Sequence, residues 1–393
     1  MQPRGPDADE PSIAVIGAGI GGLALAACLL RLGRRVRIYE QATAFARVGT
    51  GIQMGPNAMK VLTGLGLRER LEPVAYSPPH FGNREWDSGE DTFSLPIGVD
   101  AVERYGAPYY MLHRGDLHQA LQGAVPAEVV QLRSRLIGIE PAGERVRLRF
   151  EGGTTAEADF VVGADGVHSV VREQVFTTDD ATYTGRMAYR AVFPTDLVQG
   201  EKPGPATKWW GIDRHIVIYY VSAGREVYFT TSVPEDGSAV ESWSALGRME
   251  DLLRTFEGFH PEVQRVLEAC PSVHKWAIYD RGALATWHDG HVVLLGDSCH
   301  PMTPYMAQGA ATALEDAVVL SRCLTEFGLD DPDTTFEAYE HSRKPRTTRI
   351  QESSRANTWL RRATDPSWVY AYDAWQAPLP APDELLRRSG LRE

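Results

Sequence analysis

Ile13-Ala14-Val15-Ile16-Gly17-Ala18-Gly19-Ile20-Gly21-Gly22 is the stretch that decides the fold. Its apolar run predicts a short buried strand over Ile13–Ile16, and the spacing after it predicts a helix over Gly21–Leu32 that stops near Gly33. Arg35–Tyr39 alternates as a second strand. Gly17, Gly19 and Gly22 satisfy G-x-G-x-x-G between that strand and that helix. Such glycines allow a tight turn and let backbone N–H groups approach a pyrophosphate at the helix N-terminus. Glu40 ends the second strand, where a carboxylate accepts hydrogen bonds from a ribose diol and repels a 2′-phosphate. The unit therefore predicts a bound dinucleotide, FAD or NAD rather than NADP.

Two further stretches have the same character. Gly163-Ala164-Asp165-Gly166 follows the apolar Asp159–Gly163 and precedes Ser169 and Arg172. Gly296-Asp297 follows the apolar His291–Leu295 and precedes His300-Pro301 and an amphipathic helix over Ala310–Leu324. Ligands of open α/β sheets lie beyond strand ends of this kind. Either stretch alone is a turn; the three in this order are specific.

Between them the chain changes character. Residues 76–108 are rich in Pro, Gly and charge, with short strand-like pieces. Val146–Phe150 reads as a strand beside the turn Gly152-Gly153. Ala188–Ser232 is strand-rich, with Ile216–Tyr220 and Val227–Thr231 β-branched and aromatic. After Pro332 the chain reads helical and then turns Pro- and Trp-rich. The expected fold is α/β. A Rossmann-like nucleotide domain (1–75, 109–185, 285–330) is interrupted by a mixed β-sheet domain (76–108, 186–284), and a C-terminal helical segment follows (331–393).

Composition narrows the function. Hydrophobic residues make up 43% and charged residues 23% of 393, ordinary for a globular chain. Forty basic against 52 acidic residues give a net charge of −12, which disfavours nucleic acid and anionic membranes as partners. Cys28, Cys270, Cys299 and Cys323 are scattered without a C-x-x-C, so neither a disulfide framework nor a metal site nor a disulfide reductase is expected. Met1–Pro11 lacks the features of a signal peptide, and no apolar run has spanning length. A cytoplasmic monomer or homodimer acting on a small molecule is the expectation.

Gly17/Gly19/Gly22, Glu40, Arg47, Arg114, Gly163–Gly166 and Gly296–Asp297 together resemble the single-component FAD-dependent aromatic hydroxylases of the p-hydroxybenzoate hydroxylase fold. The resemblance runs over roughly residues 12–375. Within the family it is nearest to the members that act on 6-hydroxynicotinate. The stretches carrying that are His113–His118, Lys208–Trp210, Asp213–His215, Tyr219-Tyr220, His300–Gly309, Ala356–Leu360 and Asp365-Pro366 with Trp368–Tyr370. The resemblance implies FAD as cofactor, NADH or NADPH as electron donor, and O2 as co-substrate through a flavin C4a-hydroperoxide. It implies that Asp297 meets the ribityl chain and that Arg47, Gly51 and Arg114 lie along the cofactor. Asp165 and Gly166 would face FAD and the nicotinamide donor. Gln308-Gly309-Ala310 would present N–H groups to the isoalloxazine edge, where such donors favour negative charge.

For the substrate it implies a chamber of Gln53, Ala206, Trp210, His215, Tyr219, Pro304 and Tyr305. His215 is either the base or proton relay, or a satisfied structural histidine. Strand alternation lets only one of Tyr219 and Tyr220 point inward; Tyr219 is the expected catalytic partner. The 6-hydroxynicotinate enzymes, as the resemblance presents them, carry histidines at the places of Gln53 and Tyr305 and a cysteine at that of Ala206. A pyridine nitrogen wants a hydrogen-bond partner, and an unpaired buried polar group costs about 1–3 kcal/mol. The expected substrate is therefore an (amino)hydroxybenzoate, with decarboxylative 3-hydroxylation of 6-hydroxynicotinate as the alternative. A nicotinamide-only dehydrogenase and a non-catalytic flavin-fold binding protein are the alternatives of another class. The first leaves Gly163–Gly166 and Gly296–Asp297 without a task.

Overall fold

The computed structural model describes residues 12–47, 49–177, 181–235 and 246–381. The tail Met1–Pro11 and the last residues of 331–393 lie outside them. The glycine-rich turn sits at the C-terminal end of an interior strand of a six-stranded sheet. Its strands run in the order His288–Asp289, Val292–Leu294, Phe160–Gly163, Ser12–Ile16, Arg35–Tyr39, Val130–Gln131. All neighbours are parallel except the first pair. The three separated glycine-bearing stretches thus end adjacent strands, so their turns emerge side by side.

Helix Ile20–Arg31 is apolar almost all round, with ten buried residues, because it lies between this sheet and helix Gly309–Glu326. Leu23, Leu25 and Leu29 are fully buried, each contributing about 1.5–3 kcal/mol. The approach of the two helices needs Gly21: a Cβ there would lie 2.6 Å from Leu295 Cδ2 and 3.3 Å from the Ala313 Cβ.

The second large sheet has eight strands, in the order Leu246–Gly247, Val273–Asp280, Thr182–Pro194, Glu226–Pro234, His215–Val221, Ala206–Trp210, His80–Glu85, Asp91–Pro96. Its two faces bury different sets of side chains. Ile216, Ile218 and Tyr220 pack with Phe229 against Leu252, Val263 and Val266, on helices Met249–Thr255 and Pro261–Glu268. Val217, Tyr219 and Val221 pack on the opposite face with Tyr228, Met306, Ile350 and Tyr370. The period-two alternation of a strand produces this division.

One element was anticipated only in its strand Val146–Phe150, and a second had no signal in the sequence. Residues 136–158 form a small antiparallel sheet with strands Leu136–Ala142, Arg145–Phe150 and Thr155–Ala158. Gly51–Met54 pairs with Tyr110–His113 as a two-stranded ribbon lying between the large sheets. The C-terminal helix Pro332–Arg355 does not stand apart. Phe336 and Tyr339 enter the core of the nucleotide layer, and Ile350 enters the cluster below the eight-stranded sheet.

Candidate functional site

A cleft begins at the glycine turn. Gly17 has φ +101°, and a Cβ on it would lie 2.5 Å from the Ala164 carbonyl oxygen. A Cβ on Gly22 would collide with the Gly17 carbonyl oxygen. The turn therefore closes only with glycine at both places. Helix Ile20–Arg31 begins at Gly19 with no side-chain cap, so its first N–H groups and the positive end of its dipole face the cleft. Glu40 is held beside the turn, its carboxylate accepting from the amides of Ala18 and Ala42, both at 2.8 Å. His118 joins it: its Nε2 lies 2.8 Å from the Ala18 carbonyl oxygen. His118 was within a quoted stretch but was given no role there; only the fold shows what it touches.

The second turn meets the first through its backbone. Asp165 was expected to face the nucleotide, but its carboxylate is turned onto helix Val170–Val175. It accepts from Ser169 Oγ at 2.5 Å and from the amides of Val170 and Val171 at 2.8 and 3.2 Å. An acid satisfies the open N–H groups of a short helix in this way. What faces the glycine turn is the Ala164–Asp165 main chain, followed by Gly166 at φ +82°.

The third turn carries Asp297. This residue lies deep among protein atoms, yet its side chain is exposed to open space, so it lines an internal cleft. Burial raises its pKa, with His300 and Arg114 pulling the other way. A Cβ on Gly309 would lie 3.7 Å from Asp297 Oδ1. Gly309 and Ala310 open helix Gly309–Glu326, whose N-cap Gln308 makes no side-chain cap. Their N–H groups are thus available beside Asp297. Arg47 is pinned elsewhere: it pairs with Asp116 at 3.1 Å and Glu226 at 2.9 Å and donates to Ser222 Oγ. It ties the ribbon region to the eight-stranded sheet. Gly51 also belongs to that junction, since a Cβ there would lie 2.6 Å from the Tyr228 ring and 2.8 Å from the Tyr219 hydroxyl.

Below the third turn lies an ion network that the reading above missed. Arg343, fully buried, donates to Asp316 and Glu315 at 2.7 Å each. Arg346 donates to Glu315 at 2.8 and 2.9 Å. Asn57 joins Glu315 to the Gln308 side chain at 2.7 and 2.9 Å. Burial alone would raise both carboxyl pKa values; Arg346 and Arg343 hold Glu315 low, and His300 and Arg343 hold Asp316 low. Burial opposes a charge on His300, but Cys299 beside it and Asp316 at 2.6 Å override it and raise its pKa well above the ordinary value. Cys299, His300 and Asp316 place potential ligand atoms within 4.8 Å of one another. Asp316 already serves an imidazolium and a guanidinium, so this set is a support for the loop rather than a cation site. Arg343→Met should cost about 3–5 kcal/mol, because it removes one of the two cations paired with the fully buried Asp316. Thermal unfolding of the purified variant measures this, and a melting temperature equal to wild type would contradict it. The sequence signal available was Glu315-Asp316, two adjacent acids flanked by the apolar Ala313-Leu314 and Ala317–Leu320.

The far end of the cleft is the inner face of the eight-stranded sheet. Register places Trp210 opposite His215 and Ala206 opposite Tyr219 on neighbouring strands. Tyr219 faces inward, its ring 4.9 Å from that of Tyr228, whereas Tyr220 lies on the other face and donates to the Pro203 carbonyl at 2.7 Å. Gln53 Oε1 accepts from Tyr109 at 2.6 Å, and Gln53 is near enough to Tyr219 to lower its phenol pKa slightly against the rise from burial. Tyr305 sits 5.6 Å from the His215 ring and 3.0 Å from Ser232 Oγ. Trp210 donates to Asn83 at 2.9 Å, and Pro304 is exposed.

His215 is 5% exposed. Burial, then Lys208 and Arg186, push its pKa well below the ordinary value, so its imidazole is neutral, the form that can accept a proton, and is a weaker base than a free imidazole. Tyr219 is the opposite case: burial and then Tyr228 push its phenol well above 10, so it remains a donor. Lys208, on the same face, is pushed down to about 7 by burial and by Arg361.

The glycine turn, the uncapped helix, Glu40 and the Asp297–Gly309 corner make one continuous cradle suited to an extended dinucleotide. The FAD binding domain family matches residues 10–354, and the chain belongs to that family. The 6-hydroxynicotinate 3-monooxygenase of Bordetella bronchiseptica is 44% identical over 94% of this chain and 97% of that protein. The 3-amino-4-hydroxybenzoate 2-monooxygenase of Streptomyces cremeus is 40% identical over 87% of this chain and 86% of that protein. Klebsiella pneumoniae HpxO, solved with FAD and uric acid, superposes with a TM-score of 0.78 at 26% identity, covering 96% of this chain and 94% of that one. This protein is a flavin-dependent aromatic monooxygenase that uses FAD, NAD(P)H and O2. A nicotinamide-only dehydrogenase is thereby ruled out. Among the described residues no helix is long and apolar enough to cross a membrane.

Proposed function

We propose that this monooxygenase hydroxylates a ring carrying both a hydroxyl and a carboxylate, and that an (amino)hydroxybenzoate is its substrate. In this reading the dinucleotide pyrophosphate lies on the N-terminus of helix Ile20–Arg31, Glu40 takes the adenosine ribose, and Asp297 and Arg114 flank the ribityl chain. The N–H groups of Gly309 and Ala310 meet the isoalloxazine edge, where they favour negative charge. Bound FAD supplies the two-electron chemistry that takes a hydride from NAD(P)H and activates O2. The protein's own part is to deprotonate and orient the ring. His215, neutral by burial, accepts the phenol proton and so makes the ring electron-rich. Tyr219 and Gln53 hold the resulting oxygen by hydrogen bonds. The apolar cover of Met306, Ile350 and Tyr370 keeps water away. In balance, the ring C–H becomes C–OH, O2 gives that oxygen and one water, and NAD(P)H and a proton supply the rest.

The observation that carries the substrate reading is the chamber wall itself. Gln53 and Tyr305 present an amide and a phenol, each hydrogen-bonded to a neighbouring hydroxyl, rather than imidazoles for a pyridine nitrogen. The 44% identity to the Bordetella enzyme favours a second reading, hydroxylation of 6-hydroxynicotinate with loss of its carboxylate as CO2. A panel of 3-amino-4-hydroxybenzoate, 3-hydroxybenzoate and 6-hydroxynicotinate separates them, with NAD(P)H consumption compared against product mass. A product one oxygen heavier than the benzoate is the expected result. Tight coupling with CO2 release from 6-hydroxynicotinate alone would establish the second reading instead.

A further inference from the structure

Beyond lowering the His215 pKa, Lys208 has no part in the chemistry above, and Arg361 has none. Lys208 is only 4% exposed, and its neighbour of consequence is another cation, Arg361. Among the described residues no carboxylate pairs with either. The Lys208 amino group lies 3.8 Å from the centroid of the Trp210 ring. The exposed Arg361 guanidinium approaches the same ring to 5.4 Å. Lys208 alternates with Thr207 and Trp209, so it shares the inner face with Ala206 and Trp210, and Trp210 is in register with His215. A buried ammonium against an indole, with a second cation near the same ring, is an incomplete arrangement. Cation–π attraction offsets only a small part of the lost hydration. An anion placed between the two cations would complete it.

We propose that Lys208 and Arg361, set around the Trp210 ring, form the carboxylate-binding end of the substrate chamber. This rests on the reading of the substrate as a ring carboxylate and deepens it. With the carboxylate held at Lys208, the hydroxyl of the same ring is directed along the sheet face toward His215 and Tyr219. Lys208 is thus a positioning residue that sets specificity, while His215 and Tyr219 meet the reacting end.

The test compares the flavin-loaded wild type with Lys208→Met and Lys208→Arg. Dissociation constants are read from the flavin absorbance change on adding 3-amino-4-hydroxybenzoate, 6-hydroxynicotinate and the carboxamide of each. Lys208→Met should weaken the carboxylates roughly 30- to 100-fold and the carboxamides less than about 3-fold. Lys208→Arg should restore most of the preference. The melting temperature of Lys208→Met should equal or exceed that of wild type, since a lone buried charge has been removed. A structural lysine would show the reverse: a lower melting temperature with carboxylate and carboxamide weakened alike. That result, or an unchanged carboxylate preference in Lys208→Met, overturns the proposal. Arg361→Gln, at an exposed position, gives an independent arm with a smaller loss in the same direction. Wild type that binds the carboxylates selectively but never turns them over would refute the function proposed above and still support this subsite. Wild type with no preference for carboxylate over carboxamide refutes the subsite alone.

Discussion

Gly22→Ala should purify colourless. A Cβ at this position collides with the Gly17 carbonyl oxygen, and that carbonyl belongs to the turn that must stay open to a pyrophosphate. To admit the methyl group the turn has to move away from the helix N-terminus, and the N–H groups that face the phosphates move with it. Loss of two such charge-assisted hydrogen bonds, each about 1.5–3 kcal/mol, corresponds to a rise in the FAD dissociation constant of at least about 100-fold. The absorbance of the purified protein and reconstitution with added FAD measure this. A Cβ on Gly19 meets no protein atom within 4 Å, but the open space there is where the pyrophosphate is proposed to lie. Gly19→Ala should therefore weaken FAD while leaving the melting temperature of the flavin-free protein unchanged, whereas Gly22→Ala should lower both. An FAD affinity of Gly22→Ala equal to that of wild type would overturn the prediction.

His215→Ala should leave the flavin bound and slow hydroxylation by about 100- to 10,000-fold, the usual worth of a positioned base. The separation of the two effects follows from distance along the fold. His215 belongs to the eight-stranded sheet, whereas the cradle is built on the six-stranded one. Flavin content and coupled product formation, measured on the same preparation, decide it; parallel loss of both would make the histidine structural. The pH profile adds a signed expectation. Burial, Lys208 and Arg186 depress the His215 pKa from its ordinary 6.5, so the proton-accepting form survives below that pH. The acid limb of kcat/KM should therefore fall below pH 6.5 in wild type and disappear in the alanine variant. An acid limb above 6.5 would mean that some other group titrates.

Much of the fold was legible because its signals are local. Ile13–Ile16, the helix after it and Arg35–Tyr39 each occupy a few residues with a clear period, and the structure has them as Ser12–Ile16, Ile20–Arg31 and Arg35–Tyr39. Helix Gly309–Glu326 was anticipated over Ala310–Leu324 for the same reason. The ribbon Gly51–Met54 with Tyr110–His113 had no such signal. Its strands are four residues each and pair across more than fifty residues of intervening chain. Asp165 misled because an acid after a glycine turn has two uses, ligand or helix cap, and only the position of Val170–Val175 selects the second.

From the chain alone came the class of cofactor and the three turns proposed to hold it, since a glycine spacing after a buried strand and an acid ending the next strand are properties of short stretches. The assembly of those turns on neighbouring parallel strands, the inward choice of Tyr219 over Tyr220, and the joining of Asn57, His300, Asp316 and Arg343 beneath the flavin loop came only from the tertiary structure. Alternation states that successive side chains part company; which of them meets the chamber depends on what packs against each face. A buried charge acquires its meaning from partners on other elements, Arg343 for Asp316 from the next helix and Asn57 for Glu315 from 258 residues away.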